Sequence, residues 1–109
     1  MTYDVPEGLG RIDEKRRRLL ACVDRVLTRL GPDVRRALAY YMRREYSLKH
    51  YEIPDKPREF SLALHHVFGR SSKAIEREIT QLIIDEFHLE RETELSLERV
   101  IREVISNLA

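Results

Sequence analysis

Apolar residues recur along this chain at three- and four-residue steps in five separate stretches, and Gly and Pro cut the pattern into segments of helical length. Leu19, Val23, Val26, Leu27 and Leu30 share one side of a first helix expected from about Ile12 to Leu30. Gly31 ends it, because glycine tolerates the left-handed conformation common at helix C-termini. Pro32 and Asp33 open a second helix that runs to about Tyr46, with Val34, Ala37, Leu38, Tyr41 and Met42 facing inward. The stretch from Ser47 through Ile53 reads as a loop. Pro57 and Glu59 start a third helix that buries Phe60, Ala63, Leu64, Val67 and Phe68 and closes at Gly69. Ser71 or Ser72 is expected to cap a fourth helix, whose stripe is Ile75, Ile79, Leu82, Ile83 and Phe87.

A charged connector from His88 to Glu94 precedes a fifth helix. Ser96 is its expected N-cap, and Leu95 and Val100 are placed to staple across that cap. Its apolar side is clean, comprising Leu97, Val100, Ile101, Val104, Ile105 and Leu108. No segment alternates apolar and polar residues over strand length, so the expected class is all-α, a compact bundle of about five helices. A helix amphipathic on one side must cover something, and the pattern allows either the chain's own body or a second subunit. Residues 1–10, with Pro6, Gly8 and Gly10 and no apolar period, read as an N-terminal arm. Residues 11–109 then form one helical domain, divided into a body (11–89) and the connector with the C-terminal helix (90–109).

Several elements in the middle of the chain occur in a recognisable order: Leu30-Gly31, Val34 with Ala37, Tyr40-Tyr41, Glu52-Ile53-Pro54, Pro57, Glu59-Phe60, Ala63-Leu64, Phe68-Gly69 and Ala74-Ile75-Glu76. Over roughly residues 21–89 they resemble a small archaeal helical family, the Nitrososphaera output domain. The resemblance implies a compact module sometimes associated with signalling chains, with no assigned catalytic residues. The last twenty residues lie outside it.

The net charge of +1 hides a gradient. Residues 1–58 carry 14 Lys/Arg against 9 Asp/Glu, and residues 59–109 carry 6 against 10. Such a split predicts an anionic partner for the first half, docking of one half on the other, or head-to-tail association. One cysteine, Cys22, excludes an intrachain disulfide, and no apolar run reaches membrane-spanning length, so a cytoplasmic protein with no membrane partner is expected.

The basic residues are patterned. Arg18, Arg25 and Arg29 share one side of the first helix, and Arg36, Tyr40, Arg43 and Arg44 share one side of the second. Guanidinium forks fit phosphate or carboxylate, and Tyr40 adds a stacking surface, so these seven residues are the candidate anion- or partner-binding set. If the two helices pack as neighbours, the stripes merge. The bland reading is a hydrated helix exterior in which arginine stems shield apolar neighbours. Leu62 and Ile84 fall off the main stripes, and with Leu97, Val100, Ile101, Val104, Ile105 and Leu108 they form the candidate association surface.

Other chemistry is poorly supported. The third helix, Gly69 and the fourth helix fit a helix-turn-helix badly, with His65 where a small residue belongs and Glu76, Glu78, Asp85 and Glu86 on the helix that would meet phosphates. His50, His65, His66, His88 and Cys22 show no metal-ligand spacing, and no phosphate-binding glycine loop occurs. The chain therefore reads as a non-enzymatic regulatory or adaptor module without cofactors. It is expected to bind protein and to form a homodimer through its last helix, with nucleic acid as the alternative partner of the arginine faces.

Overall fold

The computed structural model describes residues 7–90 and 96–107, with side chains over 14–90 and 96–106. Five helices follow in order: α1 (Glu7–Arg29), α2 (Pro32–Tyr46), α3 (Pro57–Phe68), α4 (Ser72–Phe87) and α5 (Leu97–Asn107). A 3₁₀ segment, His50–Asp55, lies between α2 and α3, and a single 3₁₀ turn, Gly69–Ser71, joins α3 to α4. No strand occurs among the described residues, so the all-α class stands.

The apolar stripes form one core. Leu19, Val23, Val26 and Leu27 of α1, Leu38 and Met42 of α2, Phe60, Ala63 and Leu64 of α3, and Ile75, Ile79 and Ile83 of α4 are all buried. Helix α5 packs against α1, α3, α4 and the 3₁₀ segment, and contributes Leu97, Val100, Ile101 and Val104 to the same core. Its start is fixed by Ser96, whose hydroxyl accepts the Arg99 backbone N–H at 3.2 Å, as an N-cap should. At its other end Lys15 of α1 donates to the Ile105 carbonyl at 3.4 Å, placing a cation beside the C-terminal carbonyls.

Several local expectations need correcting. Helix α1 begins at Glu7, upstream of Ile12, so residues 7–10 are helical rather than an arm, despite Gly8 and Gly10. Ala37, expected to face inward, is exposed. Ser72 is buried and neither it nor Ser71 caps α4 through its side chain; the Ser72 hydroxyl lies 3.3 Å from His65 Nδ1 instead. The stretch after α2 is not a simple loop. Ser47 adopts the left-handed conformation (φ 50), its N–H donates to the Arg43 carbonyl and that of Leu48 to the Met42 carbonyl. This Schellman-type ending turns Leu48 back into the core. Ile53 and Pro54 follow it inward. The expected staple residue Leu95, and Leu108, lie outside the described residues.

Candidate functional site

The two arginine stripes have different surroundings. On α1, Arg18 donates to the Glu86 carboxylate at 2.8 Å and to the Glu86 carbonyl at 3.1 Å, while its guanidinium sits 4.7 Å over the Phe87 ring. Arg29 is paired with Glu78. Both acids belong to α4, so part of the charge gradient is answered inside the fold. Arg25 lies between them with no ion pair among the described residues, over a cleft that also includes Asp24, Glu78 and Gln81. The α1 stripe is therefore a helix–helix seam, and it does not merge with the α2 stripe.

On α2 the outward residues meet no acid of another element among the described residues. Arg36 meets only Asp33 of its own helix, at 3.5 Å; Arg44 donates to the Tyr40 hydroxyl at 2.9 Å; Arg43 has no ion pair among the described residues. Helix α2 packs chiefly on α3 and only lightly on α1, which leaves its far side uncovered. Tyr40 on that side is 63% exposed, and Tyr51 at the start of the 3₁₀ segment is 62% exposed.

Beside this stripe a groove runs between α2 and the 3₁₀ segment. Arg35, Arg43, Lys49 and His50 are its ionisable lining, and Leu27, Leu38, Met42, Leu48 and Ile53 form its base. Asp24 of α1 ties the walls together, accepting from Arg35 at 2.8 Å and lying 2.7 Å from His50 Nε2. Arg16 reaches Asp55 at 2.6 Å and fixes the far end of the 3₁₀ segment to α1. Sequence reasoning missed this groove. Its base includes Leu48 and Ile53, inside the stretch read as a loop, and only the unbroken apolar pair Ile53-Pro54 hinted at a buried turn.

The candidate association surface is not a free surface. Leu97, Val100, Ile101 and Val104 are buried within the chain, Ile105 is half-buried, and Ile84 is only 8% exposed. Helix α5 has docked on its own body, which satisfies the amphipathic face that suggested a second subunit. Of this set Leu62 alone stays open among the described residues, at 44% exposed, and the buried Ile84 cannot join it in an exposed patch.

The remaining reactive groups have structural surroundings. Cys22 is buried, its thiol donates toward the Leu82 carbonyl at 3.7 Å, and burial together with nearby Glu86 pushes its pKa up to about 11. A thiol so placed stays protonated and unreactive. His66 stacks on Tyr41 with centroids 4.1 Å apart. Between α3 and α4, Ser61 donates to both oxygens of Glu76 at 3.1 Å, a half-buried contact that spacing alone did not suggest. Among the described residues no group of His, Cys, Asp or Glu is arranged to hold a metal ion, and no helix is long and apolar enough to cross a membrane.

Comparison with known protein families, characterised proteins and solved structures finds no match to this chain. The resemblance to the Nitrososphaera output domain therefore stands on its residues alone.

Proposed function

We infer that this chain is a non-enzymatic binding module that recognises an acidic protein partner through the outward face of α2. The observation that carries the reading is the contrast in charge pairing. Among the described residues Arg36, Arg43 and Arg44 have no acid from another element, whereas Arg18 and Arg29 on α1 have one each. Cations without an acid from another element among the described residues, grouped on a helix that little else covers, attract and orient an anionic surface. A non-catalytic role is in keeping with the inert Cys22 thiol and with the family resemblance. The described apolar residues of α5 are packed in the core, so this reading places the contact on α2.

A single-stranded nucleic acid is a second reading of the same face, favoured by the exposure of Tyr40 and Tyr51 beside the cations, since bases stack on open aromatic rings. Binding of a glutamate-rich peptide and of a mixed oligonucleotide, each measured at low and raised salt, tests both. The peptide is expected to bind with marked salt sensitivity, and R36E/R43E/R44E is expected to weaken it by at least about tenfold. Absence of binding to both probes at low salt overturns the reading.

A further inference from the structure

The geometry points to the outward side of α3, centred on Leu62, as the surface through which two copies of this chain associate about a two-fold axis. The inference goes beyond the reading of α2 and does not depend on it. Helix α3 touches α2, α4, α5 and both 3₁₀ segments, yet one strip along it stays uncovered. On that strip Arg58, Leu62, His65 and His66 are exposed and Glu59 is half-buried. Leu62, at 44%, is the most open large aliphatic side chain among the described residues. Arg58 and Glu59 have no ion pair among the described residues, although they are neighbours in sequence.

The order of charges along the strip selects a second copy as the occupant. Seven residues make almost two whole helical turns, so Glu59 lies in line with His66, and Arg58 in line with His65. The first row runs along the α2 side, where His66 stacks on Tyr41. The second runs along the α4 side, where His65 Nδ1 lies 3.3 Å from the Ser72 hydroxyl. Leu62 stands midway along both rows. An antiparallel copy turned about an axis through Leu62 keeps each row on its own side and reverses its ends. Glu59 of each copy then meets His66 of the other, Arg58 meets His65, and Leu62 packs on its counterpart. An imidazole N–H of His66 donates to the Glu59 carboxylate, and Arg58 donates to the nitrogen of a neutral His65 that Ser72 does not engage. Such a surface is complementary to itself, as a two-fold contact requires. An acidic partner would instead set like charge against Glu59. One helix side on another buries less than the about 1,200 Å² of stable complexes, so the association is weak and reversible.

Sedimentation equilibrium of the full chain between about 10 µM and about 1 mM at low salt is the test, with dimer expected as the main species only near the upper end. The methyl signals of Leu62 and the ring signals of His66 are expected to move with concentration, while those of Arg36 and Arg43 stay in place. L62E is expected to weaken association at least about tenfold, and its circular dichroism to match the parent chain, since Leu62 lies outside the core. E59K and H66E are each expected to weaken it about threefold, and E59K/H66E to restore it, because the exchanged charges meet again across the axis. That rescue stands whether or not L62E folds. R36E/R43E/R44E, which lies off the strip, is expected to leave the dimer unchanged, so failure here and failure of the α2 reading are told apart. A monomer throughout the range overturns the proposal. A dimer that L62E, E59K and H66E all leave intact overturns it too, since the contact then lies elsewhere.

Discussion

Helices α1 and α2 carry arginines at the same kind of spacing, yet α1 uses them to hold the fold together and α2 leaves them facing solvent. The difference lies in the neighbours. Helix α1 lies along α4, whose Glu78 and Glu86 come from the acidic half of the chain, whereas on α2 only Arg35 is held by an acid of another element, Asp24, and the outward Arg36, Arg43 and Arg44 meet none among the described residues. Arginine periodicity on a helix therefore marks a face; what that face does depends on the element opposite. The pairing of Arg18 with Glu86 spans 68 residues, and no local pattern foretells it.

The comparison is broken most severely from beneath. Leu48 forms the base of the α2 groove and is fully buried, and its position depends on the left-handed turn at Ser47. L48A is expected to destabilise the chain by about 2–4 kcal/mol, because the lost transfer energy is joined by a cavity that α1 and α2 cannot close. Urea unfolding checks this. A loss below about 1 kcal/mol would mean that the segment after α2 is a loose loop and the groove has no fixed wall.

Periodicity made the five helices legible, since four-residue steps such as Leu19 to Val23 and Ile75 to Ile79 repeat over several turns and admit one inward side. It failed where there were too few turns to repeat. The 3₁₀ segment spans six residues, and its buried Ile53 and Pro54, with Leu48 just before it, show no helical period. The left-handed residue before it is Ser47, not the glycine that usually signals such a turn. Gly8 and Gly10 weighed against helix at positions where the backbone is nonetheless helical. Of the site, the α2 stripe was visible as Arg36, Tyr40, Arg43 and Arg44. The groove was not, because its walls come from three elements brought together by Asp24. The apolar face of α5 was read correctly as a face in need of cover, but amphipathicity does not say which surface supplies it.

Charge reversal sharpens the comparison directly. R18E/R29E replaces two interhelical attractions with repulsion against Glu86 and Glu78. These pairs are partly exposed, so the expected cost is only about 1–2 kcal/mol in total at low salt, smaller in 1 M salt. R43E/R44E disturbs no interhelical pair and is expected to stay within about 0.5 kcal/mol of the parent chain. Peptide binding should show the opposite order, with a loss of at least about tenfold for R43E/R44E and less than about twofold for R18E/R29E. Equal effects of the two variants on stability would remove the distinction between seam and contact face.

The smallest effect concerns an acid with no cation. Glu76 lies on the side of α4 that faces α3, where Ser61 donates to both carboxylate oxygens and no ion pair forms among the described residues. Desolvation raises its pKa above the usual carboxylate value; the Ser61 hydroxyl and nearby His65 only partly offset this. A carboxyl group whose folded pKa is raised favours the folded state when protonated. Its contribution is fully present below its unfolded pKa and is lost as pH rises through the folded value. At neutral pH the ionised Glu76 is thus a mild liability. E76Q keeps an oxygen to accept from Ser61 and removes the charge, so it is expected to raise stability by about 0.5 kcal/mol at pH 7 and to have no effect near pH 3.5. Thermal unfolding across that range checks the sign. A variant less stable than its parent at pH 7 would show that the Glu76 charge supports the α3–α4 contact, as Glu78 and Glu86 support the contact with α1 on the other side of the same helix.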